Sequence, residues 1–574
     1  MAKTICIRQA AGGDAVAERA GELLERVIRE RTGEAPVAGA PDFTVHMAVD
    51  PGVGEEGFRI EDAEDGVRVV GDDGPGLIYG VGRFLREGRF DETGFTPGTW
   101  RGASVPEKPV RGMYFATHFH NFYHDAPVAE VERYVEDLAL WGCNTLAVWF
   151  DMHHFEGIDD PAAEAMVERL RRILRTANAV GMGAVLTTIA NEGYNSSPEI
   201  LRADGSAGHD GYHRPPRAFY GCEVCPSKPG GLDYILKTRA DALDAFANLD
   251  VRYVWIWPYD SGGCTCGGCA PWGCNGFLRC AEPLSGLVRE RWPAAKVILS
   301  TWYFDHFTTG EWEGLSEAFA GGPPPWADLI LADDYSGFPE YPLRHGSPGG
   351  LPVVGFPEIS MEGMFPWGGF GANPRPGHWQ DYWDTCGHLL DGVFPYSEGI
   401  FEDINKVITL QLCWDPGRRT EDIVREYAAS EFSPGTAARV AEAVALLEAG
   451  LDHSLADGWK EVPREGGETA VRERLEATAI YRTGQAGDPQ TPMALLGTAE
   501  ATMPDWARRG WRWRVLRGRA ELDAELHASG GRPTERTEAV FGELAAIYHN
   551  VEPHWPVATP SLKRIMRLLG VKGA

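Results

Sequence analysis

Between residues 106 and 415 the chain repeats one unit, a short apolar run followed by an amphipathic one. Eight runs read as strands: "RGMYFAT", "NTLAVWF", "GAVLTTI", "YVWIWPY", "KVILSTW", "DLILADD", "LPVVGFP" and "GVFPYSE". Helical periods such as "PVAEVERYVEDLALWG" and "AAEAMVERLRRILRTANAVG" separate most of them. Strands that are apolar at nearly every position are covered on both faces, which is the habit of parallel sheets with helical crossovers. Eight strands and seven crossovers in about 300 residues predict a (β/α)8 barrel. The alternative, an open doubly wound sheet, rarely needs eight such units.

A chain of 574 residues exceeds one core, and its composition shifts on either side of the barrel. Residues 1–105 read as a small α/β domain. "TICIRQ" and "FTVHMAV" alternate like strands with a helix between them. Two further strands pair across a turn at Glu64-Asp65-Gly66, and Gly74-Pro75-Gly76 opens a helix with Leu77, Val81 and Leu85 on one face. "TPGTWRGASVPEKPVRG" reads as the linker into the barrel domain, residues 106–415. Residues 416–574 read as a helical domain packed on the barrel. Its helical periods include "RRTEDIVREYAASEF", "GTAARVAEAVALLEAG", "PDWARRGWRWRVLRGRAELDAELHA" and "RTEAVFGELAAIYHN".

The net charge of −29 argues against nucleic acid or an anionic membrane as partner. No run of about 18 apolar residues occurs, and the N-terminus carries no long apolar core of a signal peptide. Eleven cysteines without a secretion signal point to reduced thiols or a metal site, and a cytoplasmic location is expected. A homodimer is left open.

Barrel enzymes place their chemistry at the C-terminal ends of the strands, which shortens a list of 83 acids. The first strand ends near His118, His120 and Tyr123, and the second near Trp149, Asp151, His153 and His154. The third ends at Asn191, Glu192 and Tyr194, and the fourth at Asp260. The fifth ends at Trp302, Asp305 and His306, and the sixth at Asp333, Asp334 and Tyr335. The seventh offers Glu358 and Glu362, and the eighth Tyr396, Glu398, Glu402 and Asp403. Any one acid here could cap the helix that follows it. A carboxylate at seven of eight strand ends is harder to explain that way. With 19 tryptophans in the chain, such a rim suits a polyhydroxylated substrate. Carboxylates accept hydrogen bonds from paired hydroxyls, and aromatic faces stack on sugar rings. Glycosidic cleavage then needs one acid and one base or nucleophile.

The expected carbohydrate chemistry assigns Asp260 as general acid, raised by burial beside Trp257 and Tyr259, with Glu192 in reserve. His118, Asn191, Trp302, Asp333, Tyr396 and Glu398, with Glu192, are expected to hold the sugar. Catalysis of this kind needs no cofactor. Two other classes stay open: a glycan-binding protein on a decayed barrel, and a metal-dependent hydrolase using His118, His120, His153 and His154.

Cys264, Cys266 and Cys269 form a CxCxxC run, with Cys274 beyond it; Cys222 and Cys225 lie in the loop after strand three. Loops after neighbouring strands are adjacent, so Cys225 with Cys264, Cys266 and Cys269 can surround one structural Zn²⁺. Free thiols and disulfides are the alternatives.

These motifs resemble glycoside hydrolases. "GVRVVGDDGPGLIYGVGRFLRE" is similar to the domain that precedes the barrel in family 20 β-N-acetylhexosaminidases and family 67 α-glucuronidases. Arg111-Gly112, His118-Phe119 and Asn144 stand where family 20 has an Arg-Gly strand, a His-Phe pair and an Asn opening strand two. "TEDIVREYAASEF" resembles the start of the helical third domain of α-glucuronidases, and "DSGGCTCGGC" resembles a pattern in proteins related to family 163. Family 20 has an Asp-Glu pair after strand four, whereas this chain has Asp260 alone. The α-glucuronidase layout, an acid after strand four and carboxylates after strands six and seven serving the water, implies Asp260 as the acid and Glu358, helped by Asp333 or Asp334, as the base or nucleophile. The resemblance implies an exo-acting hydrolase of an N-acetylhexosaminide or uronide.

Overall fold

Eight strands that are buried at nearly every position pair in parallel and in chain order. They are Val110–Phe115, Thr145–Trp149, Gly183–Ile189, Val251–Trp257, Lys296–Ser300, Leu329–Asp334, Val353–Pro357 and Leu390–Val393. In this computed structural model the described residues are 4–10, 14–37, 41–91, 94–117, 121–204, 221–259, 262–305, 308–334, 337–357, 371–450, 488–529 and 534–549. The eighth strand returns to the first through Gly392 opposite Val110 and Val393 opposite Arg111, so the sheet closes as the expected (β/α)8 barrel. Tyr396–Ser397 then resumes the eighth strand beside Tyr114 and Phe115.

Closure leaves no space for side chains at two positions. Gly392 has φ 138°, and a Cβ there would stand 1.7 Å from the Val110 carbonyl oxygen. A Cβ on Gly112 would stand 2.3 Å from the ring of Phe394. Aromatic rings fill the interior. Tyr114 lies 5.6–5.7 Å, centroid to centroid, from Trp255, Trp257, Phe356 and Tyr396.

The N-terminal region is a five-stranded sheet with two helices, Ala15–Thr32 and Gly74–Glu87. Ile5–Gln9, Phe43–Val49 and Gly66–Gly71 run parallel, and Phe58–Ala63 pairs antiparallel to the last of them. The stretch expected as a bare linker supplies the edge strand. Gly102–Ser104 pairs with Phe58–Ile60. Three residues are too few to display a strand period, so only the tertiary pairing reveals this strand.

Arg111 joins this region to the floor of the barrel. The side chain is fully buried, donates to the Gly142 carbonyl at 2.7 Å and pairs with Glu56. Asn144 donates to the same carboxylate at 3.0 Å. Burial favours the protonated acid, but the Arg111 charge, the hydrogen bonds from Arg111 and Asn144 and the Arg252 charge together outweigh it and hold the Glu56 carboxyl below its ordinary range.

After the barrel come Asp403–Trp414, Thr420–Glu431, Ala437–Ala449, Gln490–Glu500, Asp505–Arg509, Trp511–Ala528 and Glu535–Tyr548, all helical. "PDWARRGWRWRVLRGRAELDAELHA" reads as one helix, but Gly510 takes an extended conformation and divides it. Arg512 follows that break and anchors the helical region to the barrel through Asp403 at 2.8 Å and Asp137 at 3.2 Å. No helix among the described residues is long and apolar enough to cross a membrane.

Arg111→Met leaves Glu56 buried without its main counter-charge, and is expected to cost about 3–5 kcal/mol. Adding Glu56→Gln to that variant should recover part of the loss. Thermal denaturation of the three variants measures both effects.

Candidate active site

The barrel mouth is built from the C-terminal strand ends. His118, Asp260 and Glu358 lie outside the described residues, as do His120, His306, Tyr335 and Glu362. Asp334 is placed as the last residue of the sixth strand, by its backbone alone.

Glu192 follows the third strand, and its side chain is fully buried. Its Oε1 accepts from the His153 amide at 3.1 Å and lies 2.7 Å from His153 Nδ1. The Trp149 indole N–H reaches its Oε2 at 3.4 Å. The ends of strands two and three therefore meet at one carboxylate–imidazole pair. Arg239, buried on the helix Gly231–Asp244, donates to the carbonyls of Ile189 at 2.6 Å and Glu192 at 2.8 Å and fixes the backbone of the turn. Asn191, expected to touch sugar, has its amide engaged with backbone instead. It donates to Val224 and Gly263 carbonyls, both at 3.0 Å, and accepts from the Gly263 amide at 2.8 Å.

Asp151, His153 and His154 could offer a metal three ligand atoms within 4.8 Å of one another. Both imidazoles already use Nδ1 on a carboxylate, His153 on Glu192 and His154 on Asp151 at 2.5 Å. Burial works against protonating His154, yet the Asp151 bond and charge prevail and raise its pKa.

The end of the fifth strand holds Trp302, whose ring is nearly parallel to that of Trp257, with centroids 6.2 Å apart. The Trp257 indole N–H is buried and has no partner among the described residues. Tyr303 and Asp305 hold left-handed backbone at φ 60° and 59°. Such strain persists only where neighbours impose it. Two carboxylates do so here: Asp333 accepts from the Tyr303 amide at 3.0 Å, and Glu311 accepts from the Asp305 amide at 3.2 Å.

Glu311 was not among the acids expected from the sequence, because an acid opening a helix reads as a simple cap. It is fully buried at the start of Glu311–Ala318. Besides Asp305 it accepts from the Tyr259 hydroxyl and, at 2.6 Å, from the Gly273 amide. One carboxylate thus ties the fifth-strand turn to the residue before Asp260. On the eighth strand the Tyr396 hydroxyl donates to Glu398 at 2.9 Å. The Tyr548 hydroxyl, from the last described helix, donates to the Glu398 carbonyl at 2.8 Å, so the helical region reaches the mouth. Asp403 is occupied in structure, accepting from Tyr134, Tyr427 and Arg512 at 2.6–2.8 Å.

Beside this rim the sulfurs of Cys225, Cys264, Cys266 and Cys269 converge within 4.8 Å of one another, while Cys222 and Cys274 stand apart from the group.

No known family model matches the chain, and no curated protein matches its sequence. Solved structures do match its fold. A family GH115 4-O-methyl-α-glucuronidase with specificity for decorated arabinogalactans is similar at a TM-score of 0.62 and 11% identity, over 99% of this chain and 79% of that one. The GH20 β-N-acetylhexosaminidase from Streptomyces coelicolor A3(2) is similar at 0.52 and 15% identity, over 79% of this chain and 94% of that one. A GH138 enzyme targeting pectin rhamnogalacturonan II is similar at 0.52 and 10% identity, over 98% of this chain and 76% of that one. All three are glycoside hydrolases. At these identities the likeness is one of fold, and it agrees with the family 20 resemblance in the sequence.

Burial pushes Glu311 up to about 7 from the ordinary 4.5, against the opposing pull of its donors. A folded pKa above the unfolded one favours the folded state most at low pH, and that advantage fades as pH rises from 4.5 toward 7. Relative to Glu311→Gln, the native protein should lose up to about 3 kcal/mol across that window. Melting temperatures of both proteins at pH 5 and pH 8 check this; a pH-independent difference would show that Glu311 does not titrate there.

Proposed function

We propose that this protein is an exo-acting glycoside hydrolase, removing a terminal N-acetylhexosaminide- or uronide-type sugar from an oligosaccharide or glycoconjugate by carboxylate catalysis. The observation that carries this reading is the mouth itself. Buried Glu192 is braced by His153 and Trp149, and the aromatic floor of Tyr114, Trp257, Trp302 and Tyr396 lies among the same strand ends. Pyranose rings present flat C–H faces to such aromatics and hydroxyl pairs to such carboxylates. The likeness to a glucuronidase and a hexosaminidase supports the two sugar classes named.

In this reading Asp260 protonates the departing glycosidic oxygen. Glu358 is the base or nucleophile, with Asp333 or Asp334 beside the attacking water. Glu192 is the reserve acid, and the imidazole 2.7 Å away gives it a partner for proton exchange. Glu311 is a positioning residue, since it holds Tyr259 and the turn that follows Trp302. Trp302, His118, Tyr396 and Glu398 bind the sugar. The reaction draws on no cofactor.

A panel of aryl glycosides that includes uronides and N-acetylhexosaminides identifies the substrate. On it, Asp260→Asn or Glu192→Gln should lower kcat by about 100-fold or more, as loss of a general acid does, with an unchanged melting temperature. Trp302→Ala should act mainly on KM. Full activity in both acid variants would refute the assignment, and glycan binding without turnover of any glycoside would favour a binding protein.

A further inference from the structure

We infer that Cys225, Cys264, Cys266 and Cys269 hold one zinc ion in a closed four-thiolate site that fixes the loops beside Glu192. The inference does not depend on what the mouth cleaves.

The spacing of the sulfurs is the first argument. Cys225 Sγ lies 3.8 Å from both Cys266 Sγ and Cys269 Sγ. Four sulfurs placed about 2.3 Å from a tetrahedral zinc stand about 3.8 Å apart along each edge. A disulfide would need about 2.05 Å. The group also draws on two loops far apart in the chain, and four thiols meeting at one point by packing alone would be a coincidence.

The surroundings are those of thiolates. The Asp204 amide donates to Cys264 Sγ at 3.4 Å. Arg279 donates to the Ser227 hydroxyl oxygen at 2.7 Å, and that hydroxyl lies 3.0 Å from Cys269 Sγ, within hydrogen-bond reach. Donors of this kind orient and stabilise metal-bound sulfur. Cys225, Cys264 and Cys269 are buried and Cys266 is partly so. Four soft ligands complete the shell of a tetrahedral ion and favour zinc over magnesium or calcium.

The position gives the ion a task. Asn191 is clamped to Val224 and Gly263, the residues that immediately precede Cys225 and Cys264. The Val224 amide also donates to the Asn191 carbonyl at 2.8 Å. Glu192 is next in the chain. Zinc would therefore fix the backbone on which Glu192 stands, and would do so from outside the mouth.

Elemental analysis of the full chain, purified without added metal or chelator, should find about one zinc per chain. An organomercurial should release it, read with a zinc-binding dye. Hydrogen exchange should then quicken at 191–204, 221–227 and 262–269 while the barrel strands stay protected. Cys266→Ser should lower the zinc content below about 0.2 per chain, and Cys222→Ser, outside the cluster, should retain it. Should Cys266→Ser fail to fold, the metal content of the native chain decides. A native protein without zinc, with iron in its place, or with these cysteines joined as disulfides would overturn the inference. So would zinc release that leaves exchange at 191–204 unchanged.

Discussion

At Gly392 and Val110 the barrel closes with no room for a side chain, and the mouth takes its shape from that contact. The Val110 carbonyl occupies the space where a Cβ of residue 392 would be, and Phe394 occupies the space over Gly112. Closing so tightly brings Tyr396 level with Tyr114, which in turn packs on Trp255, Trp257 and Phe356. The aromatic floor is therefore a consequence of register. Below it, the Arg111–Glu56 pair seals the opposite end of the same first strand against the N-terminal sheet. Removing a buried charge partner is costly because the remaining charge has no water to turn to.

Above the floor, a few carboxylates act as joints between neighbouring loops. Glu192 joins the ends of strands two and three, and Glu311 joins those of strands four and five. Asp333 holds the left-handed Tyr303 from strand six. Each joint crosses between βα-loops that share no sequence. A rim made this way keeps its side chains fixed before a ligand arrives, which is what positions groups for catalysis. The four cysteines, placed one step further out, would stiffen the same pair of loops that carry Glu192 and Asp260.

Much of this was legible in the sequence for a simple physical reason. Strands covered on both faces must be apolar throughout, so the eight barrel strands announced themselves by composition, and parallel order followed from the helices between them. The helix at Gly74–Glu87 was marked by Pro75 and its apolar face. What escaped notice had no local signal. Gly102–Ser104 is too short to show alternation, and Gly510 ends a helix whose flanks both look helical. Glu311 resembled any acid at a helix start, and Asn191, expected to touch a ligand, gives its amide to Val224 and Gly263.

The sequence by itself determined the kinds of group at the rim and the loops that would carry them, because strand ends in a barrel can be counted along the chain. It also marked the cysteines, whose spacing is local. Only the tertiary structure decided which groups face one another. That choice depends on barrel stagger and loop packing, which no single segment encodes. So Glu192 acquired His153 as its partner, Glu311 became a joint beneath Tyr259, and Cys225 crossed from its own loop to meet three sulfurs from the next.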